Sequence, residues 1–383
     1  MKIAIVTNIL TPYRKRFYDE LNEQLQIEKG ELRVFVMTDE LPLRPWKYDD
    51  LKEGYTELLS CKKVFIKGED FLFDKDINYK IDLFEPDAVI VAGSWTYPCL
   101  WKLMFFKCKK KVKFFFWTES HNVRATKVGS SNRIVRKLKE TFYKRFDGYC
   151  IPGQYANEAV NDLVGDYGIR IKLPNLVDDE FYKVANTLRE SKGVLREKYG
   201  VDVNKKVFIC PARLIKIKGI DLMLRNLSHV NGIEQVTFFI AGEGPLKEEI
   251  NNIAQEIGAD VRLLGYCCQN QIRELYALSD YFIMPSLQDA NPLTVIEAAF
   301  SSLPLCVSKY LGNCPELVID KLNGVVYDTL DPKSLKESFE FIFSSDENWN
   351  RKAREQSLEI AEKDFNCKKE TKKLILKLKD VLD

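Results

Sequence analysis

Pro285-Ser286-Leu287-Gln288-Asp289-Ala290-Asn291-Pro292-Leu293-Thr294-Val295-Ile296-Glu297 follows the short apolar run Tyr281-Phe282-Ile283-Met284. The run reads as a buried strand, the polar residues after it as a turn, and the remainder as a helix. Asn291 suits an N-cap, and Pro292 suits the first helical position, where no amide hydrogen is needed. Asp289 then lies in the loop and Glu297 two turns into the helix. In a parallel sheet such a loop opens at the carboxyl end of a strand, where open α/β proteins bind their ligands. Alone, the stretch is equally an ordinary strand-turn-helix with two solvated acids. Recurrence of the pattern decides between the two.

Strand-like runs alternate with helix-length segments almost throughout, which calls for parallel sheets joined by crossover helices. In the first half, strands are expected at about 2–7, 32–37, 63–67, 88–92, 112–117 and 148–151, with helices such as 14–25, 95–107 and 131–145. In the second half, strands are expected at about 206–210, 236–241, 260–264, 281–284, 304–307 and 324–327. Helices fall near 219–230, 245–257, 269–279, 292–301 and 332–344. The fold class is therefore α/β with two Rossmann-like domains. Residues 174–204 pass through Pro174-Asn175 and a polar segment, which sets the expected domains at 1–175 and 176–365. Beyond Asp346 the chain is polar and helical, with Trp349, Phe365, Leu374, Ile375 and Leu378 among its scattered apolar positions. It has no strand of its own, so a helix over 366–383 is expected to cross back onto the first domain.

A chain of 383 residues with 45% hydrophobic and 30% charged residues has the composition of a soluble globular protein with a large core. No apolar run reaches the roughly 18 residues of a membrane span. Met1-Lys2-Ile3-Ala4-Ile5-Val6 stops at Thr7-Asn8 without a small-residue cleavage site, so it reads as a first strand rather than a signal peptide. The ten cysteines include no C-x-x-C pair, which fits reduced thiols in a cytoplasmic protein better than zinc or a disulfide framework. The net charge of +2 conceals a basic region, residues 101–150, with 14 Lys/Arg against 3 Asp/Glu.

Four loops of the second half carry ligand-type residues, and all should open on one sheet edge. After strand 206–210 come Arg213 and Lys218, flanking a turn before a helix. A guanidinium and an ammonium beside a helix N-terminus suit a diphosphate. After 236–241 comes Gly242-Glu243-Gly244-Pro245, where paired glycines would let a ligand approach the backbone. The third loop holds Asp289 and Asn291, and the fourth is Gly312-Asn313-Cys314-Pro315-Glu316.

With these residues, the second half resembles the donor-nucleotide domain of the retaining glycosyltransferases of family 4, which have two Rossmann-like domains facing across a cleft (the GT-B architecture). The likeness rests on Arg213 with Lys218, on Asp289 with Glu297, on Gly242-Glu243-Gly244-Pro245 and on Pro174-Asn175-Leu176-Val177-Asp178. It implies that Arg213 and Lys218 hold the donor diphosphate, that Asp289 meets the sugar hydroxyls and that Glu297 holds the ribose. Gly242, Gly244, Asn291 and Leu293 complete the implied donor contacts. Three segments depart from the family: Asp289 replaces the usual Glu, Ala290-Asn291-Pro292 replaces glycine-aromatic-glycine, and Asn8-Ile9-Leu10-Thr11-Pro12-Tyr13-Arg14 replaces a glycine-rich loop.

In the first half, Trp117-Thr118-Glu119-Ser120-His121-Asn122 follows a strand, which places His121 at a carboxyl end. The resemblance implies that it contacts the donor sugar, so His121, Asp289, Arg213 and Lys218 form the candidate catalytic set. The basic region divides into 101–111 and the helix 132–145. In that helix Ile134, Leu138 and Phe142 form one stripe and the cations another. It reads either as a core-facing stripe with a solvated back or as a surface for anionic lipid headgroups. No recognition module accompanies the charge, so nucleic acid is not expected as a partner. Asp74-Lys75-Asp76 matches a metal-binding Asp-x-Asp only out of context and reads as a helix start, so no metal or other cofactor is expected.

The expected function is transfer of a sugar from a nucleotide-diphosphate donor to a hydroxyl of a glycan or lipid-linked acceptor, in the cytoplasm or at the inner membrane face. The rival readings are a nucleotide-sugar epimerase of the same architecture and a non-catalytic nucleotide-sugar-binding protein. A dinucleotide oxidoreductase would need a Gly-x-Gly-x-x-Gly that Asn8 to Arg14 does not supply.

Overall fold

The structure, a computed structural model, describes residues 1–39, 47–66, 69–105, 112–125, 132–228 and 230–383. The chain opens with β1 (Lys2–Thr7), α1 (Pro12–Ile27), β2 (Glu31–Val36), α2 (Tyr48–Leu51) and β3 (Thr56–Leu58). A hairpin of β4 (Lys62–Ile66) and β5 (Glu69–Phe73) precedes α3 (Ile77–Phe84), β6 (Ala88–Ala92), α4 (Pro98–Phe105) and β7 (Lys113–Trp117). Then come α5 (Arg133–Tyr143), β8 (Gly148–Ile151), α6 (Gln154–Val164) and β9 (Ile169–Lys172).

The second series runs α7 (Asp179–Leu188), α8 (Lys192–Lys198), β10 (Lys206–Pro211), α9 (Ile220–Leu227), β11 (Val236–Ala241), α10 (Lys247–Glu256) and β12 (Asp260–Gly265). It continues through α11 (Gln269–Leu278), β13 (Tyr281–Met284), α12 (Leu293–Phe300), β14 (Leu305–Ser308), α13 (Cys314–Leu317) and β15 (Gly324–Tyr327). Three helices close the chain: α14 (Pro332–Ser344), α15 (Glu347–Asp364) and α16 (Cys367–Leu382).

Two compact units result. One comprises Met1–His121, Val128–Val177 and Cys367–Asp383; the other comprises Asn122–Lys127 and Asp178–Asn366. The first holds a parallel sheet of order β3-β2-β1-β6-β7-β8-β9, the second one of order β12-β11-β10-β13-β14-β15. Both reverse direction beside their first strand, between β1 and β6 and between β10 and β13. These are the switch points at which loops part and a crevice opens. The central strands are apolar on both faces because helices cover both: Ile3 to Val6 and Ala88 to Ala92 are all buried.

The strand expected at 63–67 is not part of either sheet. Residues 62–66 form β4, which pairs antiparallel with β5, and Val64 and Phe65 are exposed. Lysines 62 and 63 and the shortness of the apolar run are incompatible with burial on both faces, which a central parallel strand requires. Strands β3, β5 and β9 have weak apolar signals and were not expected.

Within the first unit, α16 packs on α1. Leu374, Ile375 and Leu378 fall on one helical face and share an apolar cluster with Phe17, Tyr18, Leu21 and Leu25. The Gln24 amide donates to the Lys368 carbonyl at 3.0 Å, and Lys379 pairs with Glu28 at 2.8 Å. Buried leucines at about 2 kcal/mol each dominate over that exposed ion pair. No helix among the described residues is long and apolar enough to cross a membrane, and no disulfide joins the described cysteines.

Candidate functional site

All the strands of the second sheet run parallel, so the loops after β10, β11, β13 and β14 open on one edge, the last two beside the switch point. After β10, Arg213 is exposed with no side-chain hydrogen bond or ion pair among the described residues. A 3-10 turn over Lys216–Lys218 then leads to Gly219, whose φ of +64° starts α9. A Cβ at Gly219 would lie 2.4 Å from the Pro285 carbonyl oxygen, so only glycine lets this loop close against the end of β13. The Leu287 amide donates to Ile217 O at 2.8 Å, which fixes the two loops together. Lys218 Nζ consequently meets Asp289 Oδ2 in an ion pair, with the side chains 16% and 19% exposed.

The glycines of the second loop pack closely against the first. A Cβ at Gly242 would lie 2.1 Å from Ala212 O, and one at Gly244 2.3 Å from Leu214 O. The Leu214 amide donates to Glu243 O, and the Leu246 amide to Leu214 O. The missing side chains admit the neighbouring loop that carries Arg213. Pro245 does not start the helix, which begins at Lys247.

In the third loop, Pro292 occupies the N-cap position with ψ of 116°, and α12 begins at Leu293. Asn291 therefore does not cap, and Glu297 sits little more than one turn into the helix. Proline fixes φ but not ψ, so the ring serves the end of an extended loop as well as a first turn. As the first helical residue, Leu293 has an N–H with no acceptor inside the helix. Asn291 is buried at 7% exposure, and its Oδ1 has no hydrogen-bond partner.

Glu297 accepts a hydrogen bond from the Tyr276 hydroxyl at 3.0 Å and another from Tyr182. Burial pushes its carboxyl up to about 7, against the two tyrosine hydrogen bonds, which favour the charged form. Both tyrosines were missed in the sequence. Each lies inside an amphipathic helix, α7 or α11, where an aromatic reads as core. The fourth loop runs beside the third: Gly312 N–H donates to Asp289 O at 2.8 Å, and Asn313 Nδ2 donates to Pro292 O at 3.0 Å.

The structure thus gathers Lys218, Asp289, Asn291, Leu293 and Glu297 at one edge, with Arg213 on the loop next to them. The chemistry is sorted. The β10 loop offers cationic donors, and the β13 loop with α12 offers carboxylate and amide acceptors.

His121 belongs to the first unit, at the carboxyl end of β7, where its ring stacks near that of Tyr155 with centroids 6.4 Å apart. The segment that replaces a glycine-rich turn runs into α1, whose first turn carries Arg14, bonded to Glu119 at 2.9 Å and lying 4.5 Å over the Trp117 ring. Helix α5 buries only Phe142 and Tyr143; Ile134 and Leu138 are 68% and 48% exposed. The stripe is divided: Phe142 faces the core, and Ile134 and Leu138 do not. Residues 106–111 of the basic stretch and His229 lie outside the described residues. Asp74 caps α3, accepting from the amides of Asp76 and Ile77, which is a structural task.

Comparison with known proteins agrees with this architecture. Residues 191–360, all within the second unit, match the family described as Glycosyl transferases group 1. Anabaena HepE in complex with UDP and glucose superposes with a TM-score of 0.73 at 16% identity, covering 99% of this chain and 100% of that one. Sucrose-phosphate synthase from Thermosynechococcus elongatus gives 0.74 at 14% identity, covering 100% and 99%. The chain has the α/β fold with two Rossmann-like units seen in these GT-B glycosyltransferases.

Among curated relatives, the alpha-monoglucosyldiacylglycerol synthase of Streptococcus pneumoniae is 28% identical over 51% of this chain and 44% of its own length. The UDP-Gal:alpha-D-GlcNAc-diphosphoundecaprenol alpha-1,3-galactosyltransferase of Escherichia coli is 32% identical over 52% of each. The chain spans about half the length of the curated relatives it matches.

Proposed function

We propose that this chain is a retaining glycosyltransferase of the family 4 type, moving a sugar from a nucleotide-diphosphate donor to a hydroxyl of a glycan or lipid-linked acceptor. The observation that carries the reading is the sorted edge of the second sheet, with cations on the β10 loop and acceptors on the β13 loop and α12. A nucleotide sugar has the complementary pattern: a diphosphate that only accepts and a sugar and ribose rich in O–H donors. Arg213 and Lys218 take the diphosphate, Asp289 the sugar hydroxyls and Glu297 the ribose. His121 contacts the transferred sugar.

Departure of the nucleoside diphosphate is the difficult step. Lys218, paired with Asp289 in the free chain, exchanges that partner for the phosphate and leaves the carboxylate to the sugar hydroxyls. With Arg213 and the free amides opening α12 it stabilises the leaving group by fixed electrostatics, and no metal is called for. Calorimetry with UDP, ADP and GDP tests the site: Lys218→Ala and Glu297→Ala are expected to weaken the nucleotide that binds at least tenfold. Unchanged affinity in both variants refutes it. Proton NMR of the product, showing retention of the donor's anomeric configuration, tests the mechanism.

Helix α5 supports an acceptor held at a membrane. Exposed Ile134, Val135 and Leu138 lie among exposed Arg133, Arg136 and Lys137, an arrangement suited to the interface of an anionic cytoplasmic leaflet. The relatives named for diacylglycerol and diphosphoundecaprenol substrates fit a lipid-linked acceptor. Each cation near such a surface contributes about 1 kcal/mol before screening. Co-sedimentation with phosphatidylglycerol vesicles at low salt is expected for the wild type and lost in Ile134→Asp/Leu138→Asp. Absence of wild-type binding sinks the membrane assignment.

A further inference from the structure

The described cysteines are all free thiols, and two of them meet in the first unit. We propose that Cys61 and Cys99 are a reversible oxidation site, at which a low-molecular-weight disulfide converts the pair to an intrachain disulfide that fastens the segment before β4 to the first turn of α4. Cys61 packs against the apolar cluster that holds Cys99, Met37, Leu72 and Leu100, and its thiol contacts that of Cys99. The Cys61 thiol donates to Asp74 Oδ2 at 3.7 Å, and the Cys99 thiol donates to Met37 Sδ at 3.4 Å. Other bonds hold both ends: Asp74 accepts from the amides of Asp76 and Ile77, and Lys102 of α4 donates to Asp74 O at 3.3 Å. The segments that carry the two sulfurs are therefore already tied together, and a bridge between them asks for little rearrangement.

The two thiols differ in access. Cys61 is partly exposed, whereas Cys99 is 1% exposed. That difference sets the order of reaction. The Cys61 thiolate attacks one sulfur of glutathione disulfide, whose S–S bond breaks, and the departing glutathione thiolate takes up the Cys61 proton. The Cys99 thiolate then attacks Cys61 Sγ in the mixed disulfide and expels the second glutathione, which takes up the Cys99 proton. Two protein thiols are oxidised to one disulfide, and one glutathione disulfide is reduced to two glutathiones. The Cys99 contact, burial and the Asp74 charge hold the Cys61 thiol above its ordinary range, so the first step is slow and the site answers to sustained oxidation.

The pair lies at the carboxyl ends of the first sheet. Met37 directly follows β2, and the loop leaving β6 leads into the turn that carries Cys99. A Cβ on Gly93, in that loop, would lie 3.3 Å from Met37 Cε. The bridge therefore braces the loop that leaves β6 beside the β1–β6 switch point.

The test uses the full chain in its native state. It is incubated at pH 8 with glutathione and glutathione disulfide in graded ratios, quenched with acid, alkylated and digested, and mass spectrometry reads the cysteine peptides. The expected result is a linked Cys61–Cys99 peptide that grows with the oxidising ratio, disappears with dithiothreitol and raises the thermal midpoint by about 5 °C or more. Cys99→Ala should stop at one glutathione on Cys61, and Cys61→Ser should leave Cys99 unmodified, neither with the gain in midpoint. No linkage in the wild type at the most oxidising ratio, linkage formed only in urea, or oxidation confined to Cys267 and Cys268 overturns the proposal. The wild-type chain decides between these results even where a variant fails to fold.

Discussion

Glu297→Gln is expected to stabilise the chain at alkaline pH while abolishing donor binding. The Glu297 carboxyl is raised from an ordinary 4.5 to about 7 by burial. The folded chain therefore binds that proton more tightly than the unfolded chain does. The stability it contributes is fully present below about pH 4.5 and is lost as pH rises through about 7. Above pH 7 the fold carries a desolvated carboxylate at a cost of about 3 kcal/mol, as an upper figure for a side chain that retains some exposure. Glutamine removes the charge and keeps one acceptor oxygen, and the Tyr276 hydroxyl has Thr294 O at 3.3 Å as a second acceptor.

Urea denaturation of both proteins at pH 5, 6, 7 and 8 measures the effect. The stability of the variant relative to wild type should rise by about 2–3 kcal/mol from pH 5 to pH 8, most steeply between pH 5 and 7. A difference independent of pH would refute the burial argument. The same titration links to function: if the ribose needs the carboxylate, wild-type donor affinity should fall about tenfold from pH 8 to pH 6, following the ionised fraction.

Asp289→Ala frees Lys218 from its ion pair, so calorimetry should show bare nucleoside diphosphate binding several-fold tighter and the nucleotide sugar binding more weakly; equal losses for both would contradict the competition. Gly244→Ala drives a methyl into the Leu214 carbonyl at 2.3 Å, and should cost about 1–3 kcal/mol in urea denaturation while displacing the Arg213 loop and weakening nucleotide binding. Leu378→Ala empties part of the α1–α16 contact and should cost about 2–5 kcal/mol by the same measurement, with nucleotide affinity at saturation of folding unchanged.

The fold was legible because its central strands are buried on both faces and therefore apolar throughout. Ile3 to Val6, Val207 to Cys210 and Phe282 to Met284 announce themselves without partners. The misread segment shows the limit of that signal: Val64-Phe65-Ile66 has the composition of a core strand but pairs in an antiparallel hairpin outside both sheets, with Val64 and Phe65 exposed. Edge strand β9, Ile169–Lys172, alternates apolar with basic residues over only four positions, too short a period to stand out. Burial on both faces leaves a local mark, and pairing at an edge does not.

The site divides along the same line. Residue types drew attention to Arg213, Lys218, Asp289 and Glu297, and the parallel order of the second sheet brings the loops and helix that carry them to one edge. What those charges do in the free chain depends on contacts between distant segments. The Lys218–Asp289 pair exists because Gly219 lets one loop close on the end of β13. The Glu297 carboxyl is raised because its burial in the packed unit outweighs the hydrogen bonds from Tyr182 on α7 and Tyr276 on α11, which act the other way. Gly242 and Gly244 let the loop that carries Arg213 pack against their own. In each case the residue was found from its own chemistry, and its state was set by a neighbour with which it shares no sequence pattern. The competition at Lys218 is therefore a property of the two packed loops and should vanish in any variant that opens the contact between them, whereas the pH dependence of Glu297 rests on its burial and should survive that change.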